Sequence, residues 1–365
     1  MTYVVPEVVC EVQGRVGLIT LNRPKALNAL SLDMVRALTA ALLQWQDDPQ
    51  VLAVAVRGQG REGPFGAFCA GGDIRFFHQA ALAGDPRLED FFTEEYTLNH
   101  LIHNYAKPYI AFMDGIVMGG GMGISQGAAL RIVTSRTKMA MPETNIGLFP
   151  DVGGGYFLGR CPGRAGEYLA LTGEVIGADD ALAFGLADVA MNAEQLPQVW
   201  AQLGSTGFAS NEEVLTWLRQ QALPEQPKTV AAASSIDRYF ALDSVQAIVD
   251  ALDAAQGDEW AAHTAATLRK RSPLMLHVVL EQVRRARGMS LADDLRMERD
   301  LVRNCFHLRP GAASETVEGI RALAVDKDHA PRWNPPRIED VTPQQAMEFF
   351  RSPWPAHAHP LRGLR

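Results

Sequence analysis

Basic charge is in short supply in this chain. Lys and Arg number 34 against 42 Asp and Glu over 365 residues, a formal net charge of −8, and the basic residues are scattered. That balance argues against nucleic acid as a partner. Cysteine is sparse as well: Cys10, Cys69, Cys161 and Cys305 lie far apart with no CxxC pair, so they read as reduced thiols. The nine histidines form no HxxxH or HExxH arrangement, and no metal or other cofactor is expected. GIVMGGGMG has no GK[ST], and the acid of a dinucleotide fold is missing, which argues against P-loop and Rossmann nucleotide sites. Ser125 lies among glycines but is set aside as a nucleophile for want of an elbow. The start, MTYVVPEVVCEV, lacks a basic region, a long apolar run and an Arg-rich helix, so a cytoplasmic protein is expected. The most apolar window, 109–125, contains Asp114 and five glycines and makes a poor membrane span. No internal repeat or low-complexity tract is present.

What the chain does have is core-forming material, with 47% hydrophobic residues. Val8 to Val12 and Val16 to Leu21 around Gly14 read as a hairpin. Pro24 then stops strand structure, and Ser31 caps a helix running to about Trp45 through Met34, Val35, Leu38 and Leu42. Val51 to Arg57 is a strand covered on both faces. Helical periodicity resumes at Phe76, and Glu89 to His103 is a further helix. Glu167 to Leu171 and Ala178 to Phe184 are short helices, and Val189 begins the last apolar piece. From about Ala193 helix formers take over, with a break at Pro224-Glu225-Gln226-Pro227. Ser272 and Ser290 cap strongly periodic helices over 274–287 and 291–306, and a last helix falls in SETVEGIRALAV. The expected organisation is an α/β core over 1–195 and a mainly helical region over 196–365.

The stretch with chemistry in it is KPYIAFMDGIVMGGGMGISQGAALRIVTSRTKMAMPETNIGLFPDVGGGY, residues 107–156. Tyr109 to Met113 is an apolar strand, and Gly119, Gly120 and Gly121 stand at the head of a helix. Bare N–H groups at a helix N-terminus make a ready anion trap. Gly71 and Gly72 offer a second such turn, with a plain strand-to-helix connection as the alternative. Glu143 and Asp151 follow eight positions apart in apolar, Pro- and Gly-rich surroundings. An N–H trap followed by two carboxylates suggests acyl chemistry, whereas taken singly Glu143 fits a helix first turn and Asp151 an N-cap. On residues alone, Glu94 and Glu95 read as a solvated pair. Arg284, Arg285 and Arg287 read as a solvated face, with a CoA phosphate contact as the alternative.

AFCAGGDI, GIVMGGGMG and MPETNIGLFPDVGGGYFL together resemble the crotonase superfamily of acyl-CoA enzymes, and most of all its 3-hydroxyisobutyryl-CoA hydrolase branch. The similarity runs from NRPKALNAL through FFTEEY to EGIRALAVDKDHAPRW. It implies a spiral of strand-strand-helix units with a helical C-terminal region over the site, and a thioester carbonyl held between two backbone N–H groups. By that resemblance the oxyanion donors are Gly72 and Gly120, the acids are Glu143 and Asp151, and Glu95 contacts substrate. Lys25 and the backbone around Ala70 fall where the superfamily holds the CoA nucleotide. Members are often trimers or pairs of trimers, so a homo-oligomer is a possible assembly, although the longer C-terminal region could replace that contact.

One departure is informative. Related hydratases carry a first catalytic glutamate two residues after the GGG, and here that residue is Gly123. Without a carboxylate there, hydration by a two-glutamate route is disfavoured, and Asp151 supplies an acid from another place. The resemblance therefore implies hydrolysis of a short β-hydroxyacyl-CoA, 3-hydroxyisobutyryl-CoA of valine breakdown above all. Glu143 would act as nucleophile or as base, and Asp151 would orient the β-hydroxyl or move a proton. An enoyl-CoA hydratase or isomerase, and a non-catalytic binding protein on the same fold, are the competing readings.

Overall fold

The computed structural model describes residues 6–224, 230 and 232–365. Of the break at 224–227, positions 225–227 lie outside the described residues. The chain forms two compact units, each assembled from three segments. The first takes Met1–Gly72, Thr97–Ala140 and Val175–Thr229; the second takes Asp73–Tyr96, Met141–Glu174 and Val230–Arg365.

The first unit is built on a six-stranded sheet whose spatial order follows the chain: Val8–Gln13, Val16–Leu21, Ala53–Gly58, Tyr109–Met113, Leu130–Val133 and Val189–Ala190. The first pair is the expected hairpin, antiparallel with Val8 opposite Leu21. All later neighbours are parallel. Parallel strands need cover on both faces, which is why 53–56 and 109–113 are continuously apolar and buried. One core contains Leu18, Ala55, Phe112, Ile132, Leu196 and Trp200.

Two successive strand-strand turns shape the glycine-rich region. After Tyr109–Met113 the chain makes a second short strand, Ile116–Met118, and then the helix Gly120–Gln126. After Leu130–Val133 it makes Lys138–Ala140, which pairs parallel with Ile116–Met118 in a separate two-stranded sheet. Each turn thus leaves one strand in the large sheet and one in the small, as the spiral expectation requires.

The second unit is helical among the described residues. Its central helix, Pro273–Ala286, buries ten side chains and starts at Ser272, whose hydroxyl caps Met275 N–H. Leu291–His307 begins at the Ser290 cap, and Glu315–Ile320 continues into a π-helical turn over Arg321–Val325. The arginines near the end of Pro273–Ala286 are not a solvated face. Arg287 pairs with the fully buried Glu167 at 2.6 Å and donates to Gly163 O, while Arg284 donates to the carbonyls of Leu242 and Asp243.

Candidate active site

In the first unit the two glycine turns come together. Cys69 pairs with Val117 in a parallel bridge, and Met118 N–H donates to Cys69 O at 3.0 Å. A Cβ built on Gly71 would lie 3.6 Å from Gly120 N, so the Gly71-Gly72 turn sits against the head of Gly120–Gln126. Gly71 (φ 109) and Gly119 (φ 48) both adopt backbone that L side chains rarely reach. Gly120 opens its helix, where an N–H has no acceptor within the helix. Asn28, fully buried, fixes the approach strand by donating to Gln59 O, Ala67 O and Phe68 O. Sequence reasoning gave Asn28 no role; Leu27 (φ 52) and Asn28 itself (φ 56) both adopt left-handed backbone, which asparagine tolerates better than most residues.

Gly121 shows how tightly the turn is packed, because a Cβ there would lie 2.4 Å from Cys69 O. Gly121→Ala is expected to cost about 1–3 kcal/mol through this backbone clash and to lower turnover by spreading the two turns. Thermal denaturation and a rate assay check it; an unchanged midpoint and rate would contradict the packing argument.

Ser125 is no elbow. Gly123-Ile124-Ser125-Gln126-Gly127 does have GxSxG spacing, yet Ser125 lies within Gly120–Gln126 and its hydroxyl donates to Gly121 O at 2.8 Å. The same unit has a cavity of about 500 Å³ lined by residues 60–67, Leu27, Arg136, Ala193, Glu194 and Pro197. Lys25, exposed, and Ala70 are not among its lining residues.

The acids belong to the second unit. Glu143 opens the 3-10 turn Glu143–Ile146. That turn is clamped by Ser272 N–H on Thr144 O at 3.1 Å and by Thr316 Oγ1 on Gly147 O at 2.6 Å. Gly147 and Gly319 permit the close approach, since a Cβ on either would meet backbone at 2.3–2.4 Å. Asp151 precedes the helix Gly154–Leu158 but does not cap it; its carboxylate takes a hydrogen bond from Tyr96 Oη at 2.9 Å.

Glu95, Glu143 and Asp151 are buried at 2%, 6% and 6% exposure. The solvated-pair reading of Glu94 and Glu95 is therefore corrected: Glu94 is half-buried, and Glu95 faces inward beside Tyr96. Among the described residues neither Glu95 Oε1 nor Glu143 Oε2 has a hydrogen-bond partner. Burial, and then the negative charge of Asp151, push the Glu143 carboxyl well above its ordinary range. Glu95 is raised by burial and by the charges of Asp151 and Glu143. Burial lifts Asp151 to about 7, with Tyr96 pulling the other way. Burial and the mutual repulsion of the three carboxyls all favour the protonated form, so the cluster resists carrying three negative charges together. Among the described residues no His, Cys, Asp and Glu side chains group as metal ligands would.

Tyr96→Phe is expected to raise Asp151 further, since it removes the hydrogen bond that lowers it. Loss of a buried partner costs about 1–3 kcal/mol. A carboxyl titration followed by NMR, beside a denaturation curve, tests both; a downward shift would show that another group sets the Asp151 proton.

Comparison with known proteins places the chain in a family. Residues 16–350 match the family model described as enoyl-CoA hydratase/isomerase. The 3-hydroxyisobutyryl-CoA hydrolase, mitochondrial, of Xenopus tropicalis is 41% identical over 93% of this chain and 87% of its own length. A probable 3-hydroxyisobutyryl-CoA hydrolase of Arabidopsis thaliana is 37% identical over 94% of this chain and 91% of its own length. A crystal structure described as a carnitinyl-CoA dehydratase from Mycobacterium thermoresistibile is 36% identical, with a TM-score of 0.86, over 99% of this chain and 100% of that one. The chain belongs to the enoyl-CoA hydratase/isomerase family, in the branch of the 3-hydroxyisobutyryl-CoA hydrolases.

Proposed function

We propose that the protein hydrolyses the thioester of a short β-hydroxyacyl-CoA, 3-hydroxyisobutyryl-CoA in the first instance, to the free hydroxy acid and CoA. The observation that carries this reading is the placement of the acids. Position 123 is glycine, while Glu143 and Asp151 are buried within reach of each other's charge, and neither has an ion-pair partner among the described residues. The acid pair suits attack on an acyl carbon rather than addition of water across a double bond.

In this mechanism the N–H groups of Gly72 and Gly120 donate to the thioester oxygen as it becomes an oxyanion. Glu143 delivers the attack, either on the carbonyl itself, giving a mixed anhydride that water opens, or by taking a proton from an attacking water. Asp151, aligned by Tyr96, takes the β-hydroxyl or passes a proton to the departing thiolate. Glu95 contacts the acyl group from the same cluster. CoA enters as part of the substrate and leaves as product, and the chemistry needs no further cofactor. The partner is a small molecule, without nucleic acid or membrane; among the described residues no helix is long and apolar enough to cross a bilayer. A cytoplasmic place is part of this reading, in keeping with four cysteines that lie far apart in the sequence with no CxxC pair.

Product analysis separates this reading from dehydration. Incubation with 3-hydroxyisobutyryl-CoA should give free CoA and a hydroxy acid by mass spectrometry. An enoyl ester with its thioester intact would instead make the protein a dehydratase.

A further inference from the structure

The loop that carries Asp151 is held by side chains the proposed chemistry does not use. Val152 has φ 58, a left-handed conformation that a β-branched residue holds only under restraint from its surroundings. Restraint comes from both sides. Before Asp151, Pro150 O accepts from Gln282 Nε2 at 2.7 Å. After it, Glu298 accepts Gly153 N–H on Oε2 at 2.7 Å and Gly155 N–H on Oε1 at 2.9 Å. Gln282 Nε2 also donates to Glu298 Oε1 at 3.2 Å, which links the two restraints into one. One turn earlier on Leu291–His307, Asp294 accepts Tyr156 N–H at 2.8 Å.

Glu298, Asp294 and Gln282 are all fully buried. Burying acids is a poor way to gain stability, since apolar replacements of buried polar groups are often neutral or better. What such a network provides is a fixed geometry. A carboxylate suits this place because each of its oxygens takes a different backbone N–H, one on either side of Gly154.

We propose that Glu298, braced by Gln282, is a positioning residue for Asp151: it clamps the backbone that follows the strained Val152, so that the Asp151 carboxylate stays on the Tyr96 hydroxyl. The assignment rests on the reading of Asp151 as a group that acts on the acyl substrate. Nothing in the sequence marks Glu298 for this role, because it lies 147 residues from Asp151 on an amphipathic helix.

Glu298→Gln tests it, because an amide keeps the volume but has only one acceptor oxygen, leaving one of the two N–H groups without a partner. With 3-hydroxyisobutyryl-CoA, kcat for thiol release should fall about 10- to 100-fold through displacement of Asp151, with KM little changed. Placed in an Asp151→Asn background, the same substitution should change the residual kcat by less than about twofold, since the two residues act as one unit. Gln282→Met, which removes the donor to Pro150 O and to Glu298, should show the same split, and it decides the matter if Glu298→Gln does not fold. Equal losses in both backgrounds would reduce Glu298 to a structural residue and overturn the proposal. So would a normal kcat in Glu298→Gln while Asp151→Asn is impaired, and that result would leave the hydrolase reading standing. No thiol release by the wild-type protein would overturn the hydrolase reading itself, and this assignment with it.

Discussion

Glu143→Gln should abolish turnover of 3-hydroxyisobutyryl-CoA while leaving the ester bound. The amide has the shape of the acid, but it neither attacks a carbonyl nor takes a proton from water. A general acid–base group contributes about 10²- to 10⁴-fold to rate, and the loss of a nucleophile is at least as severe. Ester binding should survive, because the backbone donors at Gly72 and Gly120 are untouched by a side-chain change. The fold should survive too. Glu143 is a buried carboxyl with one unpartnered oxygen, and glutamine keeps its volume and an acceptor oxygen for the backbone hydrogen bond while removing the desolvation cost of an ionisable group. Thiol release and calorimetric titration with the ester measure the two effects separately. Retention of more than roughly a tenth of the wild-type rate would remove Glu143 from the chemistry.

Asp151→Asn should lower the rate comparably, and it should also change how stability depends on pH. Burial lifts Asp151 from 3.8 to about 7. The folded-state value therefore lies above the unfolded one, and folding favours the protonated form. Its stabilising contribution is fully present below about pH 4 and is lost as pH rises through about 7. Glu95 and Glu143, also raised, act in the same direction. Asparagine does not ionise, so the variant should gain on the wild-type protein over that window, by a few kcal/mol at most, while Tyr96 still has an oxygen to donate to. Thermal midpoints of both proteins at several pH values read this difference. If it stays flat from pH 4 to 8, Asp151 is solvated and the cluster is not the low-dielectric site described above.

The parts of this structure that were legible in the sequence are those set by neighbours along the chain. Tyr109–Met113 was readable because five apolar residues end at Asp114-Gly115, and Ser31, Ser272 and Ser290 were readable as caps because each precedes helical periodicity. The glycine turns and the two acids stood out for the same reason. Glu95 was misread on residues alone because it stands next to Glu94 as one of two adjacent charges. Phe91 and Phe92, both buried, lie four and three residues before Glu95, and Tyr96 lies four after Phe92; that spacing puts Glu95 and Tyr96 on the apolar side. Arg287 looked solvated because its partner, Glu167, is 120 residues away. Gln282, Asp294 and Glu298 act through contacts of similar span, and Asn28 through contacts 31 to 40 residues away, which no local pattern records. The assembly of each unit from three separate segments is likewise a property of tertiary contacts.

Thiol release followed with a colorimetric reagent, with 3-hydroxyisobutyryl-CoA, crotonyl-CoA and acetyl-CoA offered side by side, tests the central claim most directly. The account predicts rapid release from the hydroxyacyl ester alone, lost in Glu143→Gln. Silence on all three esters, or loss of crotonyl-CoA absorbance with the thioester preserved, would contradict it.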